Sequence, residues 1–262
     1  MRIAIFSDVH GNLTALEAVL ADIKEKAPDI IFFAGDLCSG GARPSACLQL
    51  LQQEEISAIY GNNDEMVGAQ PLLSDDIQTE KQAQQTAEDD LVSWTKAQLS
   101  EMDRAWLRSL PFFRRFSPTT HPRDDIFIVH ANPHDVERHI YPPEAAQQEI
   151  YGEIKQPDDA VSLSHLLHDL ETGILAFGHL HIPNIRQWQH LTLANISSVS
   201  QPIDGDPRAK YGLFTWQDGR WSISHHYIPY DIQAEVEQLA HLRPPTWQEL
   251  SQQLQTARSS DS

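Results

Sequence analysis

Five short apolar runs each end in residues that can bind a metal ion, and this recurrence limits the fold more than any other feature of the sequence. The runs are rich in β-branched or aromatic residues and occupy residues 3–6, 30–33, 56–60, 126–129 and 174–177. Each run is apolar throughout rather than alternating, which is typical of a strand covered on both faces. The sequence therefore predicts buried strands with polar residues at their carboxyl ends.

Predicted helices separate the first three of these strands. Residues 13–23 repeat apolar side chains at helical intervals, and Asn12 is well placed as the N-cap. Residues 44–53 predict a second helix before the third run. Strand, helix, strand, helix and strand in succession are typical of a layered α/β sheet.

Two later segments depart from this alternation. Residues 75–110 are rich in Gln, Glu, Asp and Ala, and they predict a helical insertion that covers one side of the mouth of the site. Residues 188–194 and 211–216 alternate or run apolar, and residues 221–228 close a predicted hairpin.

The end of the chain predicts a helical tail. From residue 231 a weakly amphipathic helix is broken by Pro244-Pro245. The sequence contains neither an internal repeat nor a Gly/Ser-rich linker. We therefore expect one domain over residues 1–230, followed by a C-terminal helical tail over residues 231–262.

The charge balance argues against a polyanionic partner. The chain has 19 Lys and Arg against 37 Asp and Glu, which gives a net charge of −18 with neutral histidines. Such a surface repels polyphosphate backbones, so we expect no nucleic-acid polymer as partner. No run reaches the ~18 apolar residues of a membrane span, and Cys38 and Cys47 make no disulfide framework. The sequence predicts a cytoplasmic protein without a membrane partner and leaves the oligomeric state open.

The strand ends bring potential metal ligands to one edge of the predicted sheet, where ligands bind in folds of this type. Two Asp, one Asn and four His follow the runs: Asp8, His10, Asp36, Asn62, His130, His179 and His181. Carboxylate, amide and imidazole ligands together suit a borderline divalent ion such as Mn, Fe, Zn, Ni or Co. Seven ligands exceed the four of a structural zinc, and a shared carboxylate would accommodate two ions roughly 3.5–4 Å apart.

The order of these motifs resembles the calcineurin-like metallophosphoesterase family. The motifs are Asp8-x-His10, Gly35-Asp36, Gly61-Asn62-x-Asp64, His130 and Gly178-His179-x-His181. Residues 201–211 further resemble the bacterial branch that includes small phosphodiesterases and diadenosine-tetraphosphatase-like proteins. The resemblance covers roughly residues 1–230 and implies a two-sheet αββα sandwich.

The resemblance also implies how two divalent ions would be bound. One ion is expected on Asp8, His10, Asp36 and His181. The other is expected on Asp36, Asn62, His130 and His179, so that Asp36 bridges the pair. A hydroxide held between the ions would attack phosphorus in a small phosphodiester, phosphomonoester or dinucleoside polyphosphate.

The sequence leaves one other class of function open and excludes others. A catalytically weak metal-binding scaffold of the same fold, acting in protein interaction, is the alternative. A metallo-β-lactamase-type enzyme is excluded because the chain lacks the His-x-His-x-Asp-His block, and the sequence contains no P-loop and no Gly-x-Ser-x-Gly elbow.

The chain departs from the family pattern at Asn63, where the family carries a histidine that helps protonate the leaving group or stabilise the transition state. An amide delivers no proton at neutral pH. His134 could substitute as the acid, with Asp135 nearby to raise its pKa; the alternative is a solvated loop histidine. Arg208 could clamp a phosphate, or it could form an ion pair with Asp204 or Asp206.

Overall fold

Two five-stranded sheets lie face to face in the computed structural model, which describes residues 1–69, 87–157 and 160–258. The strands, in chain order, are β1 (Arg2–Phe6), β2 (Ile30–Ala34), β3 (Ser57–Ile59), β4 (Arg114–Phe116), β5 (Ile126–Ile128), β6 (Ile174–Phe177), β7 (Asn184–Trp188), β8 (Leu191–Asn195), β9 (Ala209–Gln217) and β10 (Arg220–Ile228). The first sheet has the order β10-β9-β1-β2-β3 and the second has the order β4-β5-β6-β8-β7.

Helices cover the outer faces of the sheets. In chain order they are α1 (Leu13–Lys26), α2 (Pro44–Gln53), α3 (Asn62–Gly68), α4 (Ala87–Gln98), α5 (Glu101–Ser109), α6 (Glu144–Tyr151), α7 (Ala160–Leu167), α8 (Ile232–Leu242) and α9 (Trp247–Thr256). Asn12 caps α1 as expected, because its side chain accepts a hydrogen bond from the backbone N–H of Ala15. None of the described helices combines the length and the apolar character that crossing a bilayer requires.

The five apolar runs form parallel strands, three in the first sheet and two in the second, with β3 at the edge of the first sheet. β1 pairs in parallel with β2, and β2 with β3, while β5 pairs in parallel with β6. Strands β9, β4 and β7 run antiparallel to their neighbours. Because parallel strands end at the same edge, the residues that follow the runs come together.

Alternate residues of β1 show why its sequence is apolar throughout. Ile3 and Ile5 lie in the core between the two sheets, with Ile126 of the opposite sheet. Ala4 and Phe6 point the other way, into the core beneath the helices. Both faces of the strand are therefore covered, and the predicted αββα sandwich is confirmed.

Most of the predicted elements outside the central strands are present, with one correction. Residues 188–194 are not one strand, because the chain turns at Gln189 with a left-handed φ of 52° and β8 begins at Leu191. In the predicted insertion, α4 and α5 are helical, and residues 75–86 lie outside the described residues. The tail consists of α8 and α9 on either side of Pro244-Pro245. The division of the chain at residue 230, and the placement of the insertion over the mouth, stay predictions.

Candidate metal centre

A left-handed backbone recurs at the predicted ligands. Five of them have a positive φ: Asp8 (58°), His10 (49°), Asp36 (63°), His179 (63°) and His181 (60°). This conformation costs a non-glycine residue about 1–3 kcal/mol and persists only where the surrounding structure enforces it. The chain therefore turns sharply at each of these strand ends and keeps the ligand side chains at the edge of the sheets.

The first group of potential ligands consists of Asp8, His10 and His181, whose ligand atoms all lie within 4.8 Å of one another. We call it group one. The His181 Nε2 atom lies 3.2 Å from Asp8 Oδ1 and 3.2 Å from His10 Nε2. Asp8 is fully buried, and its Oδ2 atom also accepts a hydrogen bond from the backbone N–H of His179. The three side chains face a common point from β1 and β6.

The second group, called group two, consists of Asp36, His130 and His179, again within 4.8 Å of one another. The His130 Nε2 atom lies 3.5 Å from Asp36 Oδ2 and 3.0 Å from Asn62 Oδ1. The predicted amide ligand therefore lies beside this group. The Asp36 Oδ2 atom also lies 3.8 Å from His10 Nε2, so one carboxylate oxygen lies close to both groups.

Each of the four histidines is oriented by a backbone carbonyl. The ring N–H groups donate from His10 Nδ1 to Ser39 (2.6 Å), from His130 Nδ1 to Ala34 (2.9 Å), from His181 Nδ1 to Gln201 (2.8 Å) and from His179 Nε2 to Glu137 (2.9 Å). The opposite nitrogen of each ring is thereby directed into its group, which is how metal-binding histidines are held. Three rings present Nε2, and His179 presents Nδ1. The residues therefore fit divalent ions.

Charges within the centre keep its carboxylates ionised. Burial acts to raise the pKa of Asp8, but the charge of His181 outweighs it and holds the pKa well below the usual value. The pKa of Asp36 is lowered against burial by His130. Burial opposes protonation of His130, yet the charge of Asp36 raises its pKa to about 10. For His179, burial and then the charge of His130 lower the pKa to about 4. Both carboxylates are thus ionised at the points where a cation would bind.

Asn63 and Asp64, which follow the amide ligand, both hold Asp36. The Asn63 backbone N–H donates to Asp36 Oδ1 at 2.9 Å, and its Nδ2 donates to Oδ2 at 2.6 Å. The fully buried Asp64 accepts backbone hydrogen bonds from Asp36 (2.7 Å) and Leu37 (2.9 Å). The Asn63 side chain, at the position where the chain departs from the family pattern, therefore orients the carboxylate of Asp36.

The structure brings neither His134 nor Arg208 into the two groups. The Nε2–H of His134 donates to the Leu166 carbonyl at 3.0 Å. The Arg208 guanidinium pairs with Asp206, at 2.5 Å from Nη2 to Oδ2, and lies over the ring of Tyr227. This is the ion pair that the sequence offered as the alternative for Arg208. The assignments of both residues to the reaction stay predictions.

His139 is a neighbour of the centre that the sequence analysis missed. Its ring stacks on that of His179, with 4.4 Å between the centroids. His139 lies in the loop after β5 that also supplies the Glu137 carbonyl. His139 lies nine positions after His130 and no strand end marks it, so the sequence carries no signal for this contact.

Gly41 packs directly against the backbone of His10. A Cβ atom at Gly41 would lie 2.0 Å from the His10 carbonyl oxygen. We expect Gly41→Ala to lower the free energy of unfolding by about 3 kcal/mol, the upper end of the usual cost of overpacking, and to weaken metal binding. Urea denaturation and metal titration measure the two effects. Gly152→Ala is the comparison, because nothing lies within 4 Å of that position; its left-handed φ of 71° alone should cost about 1 kcal/mol and leave metal binding unchanged. Normal metal binding by a folded Gly41→Ala would contradict the prediction.

The chain is similar to known proteins over most of its length. A model of the calcineurin-like phosphoesterase superfamily domain matches residues 1–219. The uncharacterized protein MJ0912 of Methanocaldococcus jannaschii is 30% identical over 250 residues, which cover 94% of each chain.

Solved structures show the same similarity over nearly the full chain. A metallophosphoesterase from Sphaerobacter thermophilus is 26% identical, with a TM-score of 0.69 and coverage of 98% of this chain and 100% of that one. The hypothetical protein PH1004 from Pyrococcus horikoshii is 15% identical, with a TM-score of 0.77 and 99% of each chain covered. The second similarity concerns the fold alone.

Proposed function

The chain belongs to the calcineurin-like phosphoesterase superfamily and is a metal-dependent hydrolase, and we propose that it hydrolyses a small phosphate ester with two divalent ions. Asp8, His10 and His181 would hold one ion, and Asn62, His130 and His179 the other. Asp36 would bridge the two. The ions would be drawn from Mn, Fe, Zn, Ni and Co, which accept this mixture of oxygen and nitrogen ligands.

The observation that carries the proposal is the orientation of the four imidazoles. Each ring donates one N–H to a backbone carbonyl and leaves the other nitrogen facing its group. The contact of Asp36 Oδ2 with both His10 and His130 supports the bridging role. A cluster of histidines with only a structural role would have no reason to direct four ring nitrogens toward two points.

Divalent ions, when bound, lower the pKa of a coordinated water toward ~7 and neutralise the oxygens of a phosphoryl group. The side chains of this chain would position those ions and keep the carboxylates in the ionised form that binds a cation. The buried Asp8 and Asp36 stay ionised because neighbouring histidines lower their pKa values. Asn63 holds Asp36 by two hydrogen bonds and supplies no proton.

The substrate class that fits is a phosphodiester, phosphomonoester or dinucleoside polyphosphate of low molecular mass. A net charge of −18 repels anions at long range, and bound cations would supply the local attraction that a small anion needs. A nucleic-acid polymer would meet the acidic surface along its length, so it is excluded from the proposal. We also propose a cytoplasmic location, since Cys38 and Cys47 are both free thiols.

A scaffold without strong catalysis is the second candidate, and one contact favours it. Asn63 donates to the carboxylate oxygen of Asp36 at 2.6 Å, in the position where the family carries a proton donor. A protein selected only for metal-dependent interaction could tolerate this replacement.

Metal analysis joined to a hydrolysis screen tests the proposal. We expect two ions per chain at saturation and turnover of bis-aryl phosphate, aryl phosphate, cyclic nucleotides or dinucleoside polyphosphates. His181→Ala should lose one ion, whereas the exposed His168→Ala should lose none. A single ion per saturated wild-type chain would contradict the two-ion model. Two ions without any hydrolysis would favour the scaffold.

A further inference from the structure

The helical tail of the chain, residues 231–258, docks on the loops that orient the histidines of group one. We propose that this tail is a positioning element for group one, with Glu235 as its central residue. The inference rests on the proposed function, because it assigns the tail a role toward a metal ion. It concerns residues beyond the segment 1–219 that the family model matches.

The first contact is an ion pair between the buried Glu235 of the tail and the partly exposed Arg43 of the loop after Asp36. Glu235 in α8 is 0% exposed, and its Oε2 atom accepts hydrogen bonds from Arg43 Nη2 at 2.5 Å and from the Thr14 hydroxyl at 2.8 Å. Arg43 Nη2 also donates to Thr14 Oγ1 at 2.6 Å. Ala42, the neighbour of Arg43, packs in one apolar cluster with Leu239 and other tail residues.

The loop that ends at Arg43 holds His10. The Arg43 backbone N–H donates to the carbonyl of Gly11 at 2.9 Å, directly after His10. Earlier in the same loop, the Ser39 carbonyl accepts the Nδ1–H of His10 at 2.6 Å. A shift of Arg43 would therefore move the carbonyl that fixes the tautomer and direction of this ring.

The second contact lies at the other end of the tail. The backbone N–H of Gly205 donates to the carbonyl of Ala257 at 2.9 Å. The same loop contains Gln201, whose carbonyl accepts the Nδ1–H of His181 at 2.8 Å, and Ile203, whose N–H donates to the His181 carbonyl at 3.3 Å. The tail thus contacts both loops that orient the two histidines of group one.

The two histidines of group two are held by other parts of the fold, and only its carboxylate, Asp36, adjoins a loop on which the tail docks. Its histidines are oriented by the carbonyl of Ala34 in β2 and by that of Glu137 in the loop after β5. Neither carbonyl belongs to the two loops on which the tail docks. A loosened tail should therefore affect the two groups unequally.

The ion pair is a poor source of stability in itself. Buried charges lose hydration that their attraction often fails to restore. Two buried atoms of this pair, Glu235 Oε1 and Arg43 Nε, find no hydrogen-bond partner in the described part of the chain. A well-packed apolar pair would stabilise the same interface at lower cost. A role in positioning the loop, which needs a specific geometry, accounts for the charged pair.

Titration of the full-length protein with Mn²⁺ tests the inference. Equilibrium dialysis and elemental analysis give the two binding steps, and His10→Ala and His179→Ala identify which step belongs to which group. We expect Glu235→Gln to weaken the group-one step about tenfold, the lower end of the loss caused by removing outer partners of metal ligands. The group-two step should be weakened clearly less, since the carbonyls that orient its histidines lie outside the two loops. Thr14→Val keeps both charges and should weaken the group-one step less.

The matched control is Glu249→Gln, which removes a charge from an exposed position of α9 and should change neither step. Equal weakening of both steps, no weakening, or the same effect in Glu249→Gln would overturn the inference. So would a lower melting temperature with unchanged metal affinity, because the tail would then be merely structural. Wild-type protein that binds no ion overturns the proposed function and the inference together. Wild-type protein that binds two ions and hydrolyses nothing overturns only the proposed function.

Discussion

Asp36→Asn should deprive both metal groups of their ions and lower the hydrolytic rate about 10³-fold. The replacement is close to isosteric, but it removes the negative charge whose Oδ2 atom lies 3.8 Å from His10 Nε2 and 3.5 Å from His130 Nε2. Metal ions contribute several kcal/mol to transition-state charge stabilisation, and each 1.36 kcal/mol corresponds to a tenfold change in rate, which sets the size of the loss.

Elemental analysis after dialysis against limiting metal measures the first effect, and the rate on bis-aryl phosphate measures the second. His10→Ala is the informative comparison, because it should weaken mainly one binding step. Exposed His168→Ala should behave like the wild type. A folded Asp36→Asn protein that keeps one ion at wild-type affinity would show that Asp36 serves one group only.

The central strands and their polar ends were predictable because local sequence determines them. A strand buried on both faces must be apolar throughout, and β1 shows this with Ile3 and Ile5 on one face and Phe6 on the other. Parallel pairing then places the following residues at one edge. The order of the motifs indicated the resemblance to the calcineurin-like metallophosphoesterase family, and the family model confirms that resemblance.

The supports of the centre were not predictable, because they join residues far apart in the chain. Glu235 and Arg43 are 192 positions apart, and His10 and Ser39 are 29 apart. The partners of the histidines are backbone carbonyls, which every residue has, so no side-chain pattern identifies them. The stacking of His139 on His179 likewise follows from the path of a loop.

Asn63→His should raise activity mostly toward esters with basic leaving groups. A p-nitrophenolate or a phosphate departs readily without a proton, whereas an alkoxide does not. General acid catalysis is typically worth ~10²–10⁴-fold, so the variant should gain by that order on alkyl phosphodiesters and change little on aryl diesters. The backbone N–H of residue 63 would still donate to Asp36 Oδ1, so the carboxylate keeps one of its two hydrogen bonds from this position.

Values of kcat/KM for matched alkyl and aryl phosphodiesters measure this difference, and metal content must be equal in the two proteins for the comparison to hold. Asn63→Gln is the matched control, since it keeps a side-chain amide at this position and adds no proton donor of suitable pKa. The contrary result is a wild type that already cleaves alkyl esters efficiently and loses this ability on His134→Ala. His134 would then be the acid, and its ring would have to leave the Leu166 carbonyl, to which its Nε2–H now donates at 3.0 Å, before it could deliver a proton.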